Sequence, residues 1–160
     1  MTTPTTPVFA PTSTKLTVLE RHDPDLFYRT RSGLLVSKGF CDLVVAKANP
    51  TEAGTTFQVI PRTMVRDASD AEIELELGGE TKIHLFDETR VSVIVARLID
   101  GQPKGEAGLL LNNGYANLFY TSSCVVVVRW SAVRRRWGVG TWGRDDGRWR
   151  AGFRVFSPAN

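Results

Sequence analysis

Apolar and polar positions alternate along much of this chain with the two-residue period of a half-buried strand. Residues 124–130 are mostly valine, and β-branched side chains suit a pleated surface. At about 136–144 and 148–156, apolar residues alternate with Arg and Gly, so residues 124–156 predict a C-terminal three-strand meander. Upstream, Lys15–Arg21, Leu26–Thr30 and Leu34–Ser37 read as short strands, with a turn at His22-Asp23-Pro24-Asp25 and a connection at Arg31-Ser32-Gly33. Phe40–Ala48 is apolar and short enough to suit strand or helix, and Asn49-Pro50 at its end favours strand. Thr55–Ile60 and Thr63–Val65 read as strand, interrupted by Pro61, which suggests an edge or a bulge. Leu109–Tyr120 reads as a hairpin around Asn113-Gly114.

Two segments carry helical signals. Asp87 as N-cap, Phe86 and Val91 as a hydrophobic staple, and the apolar spacing of Val91, Ile94, Val95 and Leu98 predict a helix over about 87–101, with Gly101 closing it. Residues 69–86 send conflicting signals. Ser69-Asp70-Ala71-Glu72 has the form of a capping box. Ile73, Leu75 and Leu77 nevertheless alternate strictly with Glu72, Glu74 and Glu76. A loop at Gly78-Gly79-Glu80 would pair Glu74 with His84 and Leu75 with Ile83, so a hairpin is the expected form. The fold class that follows is α+β: a mainly antiparallel, twisted β-sheet with one principal helix at about 87–101 and the C-terminal meander. Residues 1–14 form an uncharged Thr/Pro-rich arm, expected to be flexible. Residues 15–160 form a single domain.

The meander decides which side chains meet water. A three-residue loop at Asp145-Asp146-Gly147 pairs Arg144 with Arg148 and puts Gly147 in a left-handed bulge position. Trp137, Val139, Trp149, Phe153 and Val155 then point to the core. Arg136, Trp142, Arg144, Arg148, Arg150 and Arg154 form the opposite, exposed face. A two-residue turn slips the register by one and mixes the two sets, so the longer loop is preferred. Those six residues are the candidate binding site, because Trp and Arg are enriched at interface hot spots. An ordinary solvated sheet face with Arg stacked on Trp is the competing reading.

Charge sharpens this picture. From residue 123 onward eight arginines stand against Asp145 and Asp146, a net of +6. The first 122 residues carry twelve Lys and Arg against fifteen Asp and Glu, a net of −3. The asymmetry points to an acidic protein surface or a nucleic acid as partner. The arm adds a possible contact between copies of the chain. Two cysteines and two histidines, none at ligand spacing, imply neither a metal site nor a disulfide framework, and no cofactor motif occurs. No apolar run approaches the ~20 residues of a membrane helix, and no basic segment precedes an apolar core at the N-terminus. A cytoplasmic protein without membrane contact is expected, with other export routes open. The leading function is therefore a non-enzymatic interaction or assembly protein that binds an acidic partner. Nucleic-acid binding by the same face is the alternative. A small enzyme whose site assembles only in space, around Cys41 or Cys124 with a histidine, is the third.

Overall fold

A computed structural model of the chain describes residues 9–11, 13–30, 33–145 and 147–159. Residues 1–8 and 12 of the expected arm lie outside the described residues, as do Arg31 and Ser32 of one expected connection. Among the described residues the strands are β1 (Phe9–Pro11), β2 (Thr14–Thr17), β3 (Leu34–Val36), β4 (Thr56–Met64) and β5 (Ala68–Ser69). They continue as β6 (Asn117–Tyr120), β7 (Val125–Ser131), β8 (Arg136–Trp142), β9 (Arg148–Trp149) and β10 (Arg154–Ala159). The helices are α1 (Pro24–Arg29), α2 (Lys38–Leu43), α3 (Asp70–Leu77) and α4 (Glu88–Asp100). The class is α+β, built on one eight-stranded sheet of order β1-β4-β10-β6-β7-β8-β3, with β2 also on β4. The sheet is mixed rather than purely antiparallel. β10 runs parallel to β6, and β3 runs parallel to β8.

Three helices replace expected strands, each for a local reason. Asp23 accepts from the Asp25 and Leu26 N–H groups, and Pro24 occupies the first helical position, so residues 24–29 form α1 instead of a strand. The Ser37 side chain accepts from Phe40 N, and the apolar run from Phe40 begins as α2, followed by a 3-10 turn at Val45–Lys47. At α3 the capping box forms in full: Ser69 and Glu72 bond reciprocally to each other's N–H groups. The expected hairpin over 72–86 does not exist. The inward positions are Asp70, Ile73, Glu74 and Leu77, at helical spacing, and Leu75 of the alternating set is exposed. Alternation of Glu with Ile and Leu suits the exposed half of a helix as well as a strand.

The helix expected at 87–101 is present as α4, with Asp87 accepting from Arg90 N. Its end differs from expectation, since Gly101 has φ −75 rather than a left-handed value. Asn113-Gly114 is a turn with Gly114 at φ +87, but no strand precedes it. The Asn117 side chain bonds both Leu111 N and Leu111 O and so takes the place of the first strand of that hairpin. Pro61 lies inside the continuous β4. It sits where β1, paired to residues 62–64, hands over to β2, paired to residues 56–59, so that side needs no N–H from it.

The C-terminal meander is corrected most. Its first two strands, β7 and β8, pair antiparallel as expected, with Trp130 opposite Trp137. The third strand does not join them. β9 pairs with β5 in a separate two-stranded ribbon, and β10 inserts between β4 and β6. Side-chain carboxylates capture the departing chain: Asp70 accepts from Gly147 N and Asp67 from Ala151 N. Arg144 therefore does not pair with Arg148, and the residues weighed for that turn include Asp146, which lies outside the described residues.

Two cores flank the sheet. On one side α1, α2 and α4 bury Val126, Val128, Trp137, Val139 and Phe156. On the other, α3 and the β5–β9 ribbon bury Val125, Val127, Leu118, Tyr120, Trp149 and Val155. The valine run of β7 is thus buried on both faces, which is why it shows no alternation. The second cover stops at β7. No residue of β8 or β3 belongs to that core, and the described residues leave one face of both strands bare.

Candidate binding face at the open end of the sheet

The bare face follows from strand parity. Register places Arg129, Gly138 and Leu35 in one row, and Val127 and Gly140 in the next. Trp142 stands at the end of β8 beyond these rows, opposite Val125. Two shallow recesses adjoin there, of about 670 and about 600 Å³, and both include Arg129 and Trp142. The first is floored by Gly138 and Gly140 and walled by Leu34, Leu35 and Val36. The second is rimmed by Tyr115, Arg148 and Arg150. One half is thus apolar and the other is basic and aromatic.

The two glycines are not forced by packing. A Cβ built on Gly138 meets nothing nearer than Arg129 O at 3.7 Å, and one on Gly140 meets Ser37 Oγ at 3.6 Å. Both distances are ordinary contacts, and neither residue has positive φ. Glycine weakens a strand interior and is found where a ligand or another backbone comes close. Trp142 is 55% exposed and meets Trp149 edge-on, with ring centroids 6.2 Å apart. Arg129 lies over the Phe153 ring, its Cζ 5.6 Å from the centroid.

The six candidate residues do not form one ladder. Arg136, Trp142, Arg148 and Arg150 are exposed. Trp142, Arg148 and Arg150 line the basic recess, and Arg136 shares the bare face of β8. Arg144 and Arg154 are committed to internal bonds. Arg144 pairs with Glu74 and donates to Ser122 O, and that pairing raises its pKa. Arg154 donates to Leu109 O at 2.7 Å and to Thr63 Oγ1 at 3.3 Å, and burial lowers its pKa. The five residues expected in the core, Trp137, Val139, Trp149, Phe153 and Val155, are all buried. Arg129 is the site residue that sequence reasoning missed. Its signal was parity on β7, hidden because the valines around it are buried on both faces.

Behind this face lies a polar cluster that no sequence pattern announced. The Tyr120 hydroxyl and Trp149 Nε1 both donate to Asp70 Oδ1, at 2.5 and 2.7 Å, and Gly147 N donates to Oδ2. Burial raises the pKa of Asp70, against the three donors that favour its charge, and burial with the Asp70 bond raises that of Tyr120. Beside them the buried His84 Nε2 bonds Glu74 Oε1 at 2.9 Å. This cluster ties α3 to β6 and β9 and so fixes the segment that presents Arg148 and Arg150.

The opposite side of the molecule holds a cleft of about 760 Å³ between the segment after β2, α1 and α4. Three of its charged groups are already engaged: Arg21 with Glu52, Arg97 with Thr17 O, and Asp23 with the N-terminus of α1. His22 there bonds Ser92 Oγ at 2.9 Å, and burial lowers its pKa. Cys41 and Cys124 are free thiols, and the hydrogen bonds of His22 and His84 run to Ser92 and Glu74 rather than to either sulfur. Among the described residues no group of three or more His, Cys, Asp and Glu side chains is placed to hold a metal ion, and no helix is long and apolar enough to cross a membrane. No family model, curated protein or solved structure matches this chain.

Proposed function

We propose that this protein is a non-enzymatic interaction module whose bare sheet face binds an acidic protein segment. The observation that carries the reading is the pair Gly138 and Gly140. They hold a strand open on its exposed face where packing would accept a side chain, between Trp142 on one side and Leu35 on the other. The exposed guanidinium groups of Arg129, Arg136 and Arg150 supply the charge, with Arg148 exposed beside Glu72 at 3.9 Å. The mixture favours a protein segment. An apolar recess takes an apolar side chain, while the neighbouring arginines take carboxylates. A groove for nucleic acid needs basic groups along its whole length.

The second reading rests on Trp142 and Tyr115, both exposed at the basic recess, as surfaces on which bases stack. The two separate in one experiment. Labelled peptides with glutamate and leucine taking turns at every second position, serine between them, and a labelled single-stranded oligonucleotide are titrated with the protein at low and moderate salt. The expected result is peptide binding that Trp142→Ala or Arg150→Glu weakens at least about tenfold, equivalent to about 1.4 kcal/mol. Oligonucleotide binding that is tighter and lost in the same variants overturns the first reading in favour of the second. Binding of neither ligand ends both.

A further inference from the structure

β3 closes the sheet beside the bare face, and among the described residues no strand pairs with its outer edge. The ladder sets which peptide groups look outward. Ser37 N donates to Val139 O at 2.9 Å, so residues 35 and 37 turn their peptide groups toward β8. Leu34 and Val36 then turn theirs away. Among the described residues no hydrogen bond outside the ladder reaches the N–H or C=O of either. Proteins usually blunt such an edge with charge, proline or a cover. Leu34, Leu35, Val36 and Ser37 carry neither charge nor proline.

We infer that the acidic segment binds by adding a strand to β3, using the outward N–H and C=O groups of Leu34 and Val36. This rests on the binding face proposed above and names its mode. Backbone pairing supplies affinity, and alternate side chains supply selectivity. Side chains on the bare side of the added strand stand next to Leu35. β8 lies two strand spacings away, about 10 Å. A long apolar side chain leaning inward reaches the shelf at Gly138 and Gly140, and a glutamate extended toward the extended Arg136 side chain spans the same gap. The preferred segment therefore carries acidic and large apolar residues on one face of the strand, two residues apart.

The test uses the full chain and a labelled peptide with glutamate and leucine taking turns at every second position and serine between them, with two versions N-methylated on the peptide nitrogens of one edge or the other. A strand added to β3 uses only one of its edges. Strand addition thus expects one N-methylated version to lose at least tenfold in affinity and the other to bind as the parent does. Val36→Pro removes the outward N–H and leaves the ladder to β8 intact. It is expected to lose at least tenfold as well, with an unchanged far-ultraviolet dichroism spectrum. If Val36→Pro fails to fold, the N-methylated peptides carry the test unaided. Parent-like binding by both N-methylated peptides overturns strand addition. In that case a continuing loss in Arg150→Glu leaves the binding face standing, and no loss in Arg150→Glu or Trp142→Ala overturns both. Concentration-dependent self-association that Val36→Pro abolishes, without peptide binding by the native chain, replaces the acidic segment with a second copy and overturns the proposal as stated.

Discussion

Gly140→Val separates what the fold needs from what a ligand needs. The new Cβ meets Ser37 Oγ at 3.6 Å and Ser37 Cβ at 3.8 Å, so it enters without a clash. Removing a strand glycine recovers roughly 0.5–1 kcal/mol of backbone entropy. Val127 lies directly across on β7, and a new cross-strand apolar pair adds roughly 0.2–1 kcal/mol. Together these give about 1–2 kcal/mol of stabilisation, a rise in Tm of roughly 2–8 °C for a chain of this size. The same side chain fills the floor of the apolar recess, so peptide binding is expected to fall at least about tenfold. Thermal melts followed by circular dichroism and peptide titration by fluorescence anisotropy read the two effects separately. Gly39→Ala is the control of opposite sign: its Cβ would lie 2.5 Å from Thr141 Oγ1 on the covered face, and it should lower Tm. A lower Tm for Gly140→Val, or unchanged peptide binding, would refute the claim that this glycine serves a ligand.

The other predictions concern the groups behind and beside that face. Asp70→Asn places an amide where Gly147 N, Trp149 Nε1 and the Tyr120 hydroxyl all donate, and should cost about 1–3 kcal/mol by denaturant titration. Because the folded pKa of Asp70 is raised above its ordinary 3.8, the folded state holds that proton more tightly than the unfolded chain. Its contribution therefore weakens as pH rises from about 3.8 through the folded value, and Asp70→Asn should flatten that slope. His22 acts in the other sense: its folded pKa lies below 6.5, so its contribution is complete above 6.5 and is lost as pH falls through the folded value. Replacing His22 with Gln should remove that acid-side loss in melts taken across the interval. Arg144→Ala, which leaves a mostly buried Glu74 with its His84 bond but without its arginine, should cost about 1–3 kcal/mol yet leave peptide affinity within about twofold, since Arg144 braces the fold rather than the face.

The inside–outside assignment of the C-terminal segment was legible in the sequence except at Arg144 and Arg154, which bond internally, but the partner of each strand was not. Trp149 and Phe153 point inward with Arg148 and Arg150 outward because alternation is local to a strand. Which strand lies alongside depended on Asp67 and Asp70, some eighty residues upstream, and no spacing rule links them to Gly147 and Ala151. α3 was misread for a related reason. Its capping box was visible, but Leu75 completed a perfect alternation while lying exposed on the helix, and the alternation outweighed the cap. The bare face was invisible from the chain alone. Gly138 and Gly140 look like room for tryptophan packing until the structure shows that a Cβ on either would meet only ordinary contacts with Arg129, Leu35 or Ser37 and no tryptophan.

The placement of β10 has a consequence for how the chain acquires this structure. β4 with β1 and β2 forms one set of paired strands, and β6 with β7, β8 and β3 forms another. Among the described strands only β10 joins them, bonded to β4 on one side and β6 on the other. Neither half can complete its pairing until residues 154–159 have been synthesised and have reached the centre of the sheet. During translation both halves present an unfilled strand edge, and the final insertion closes contacts across some ninety residues of chain. Such long-range closure is slow compared with local folding. The interval before it is when this protein is most exposed to mispairing.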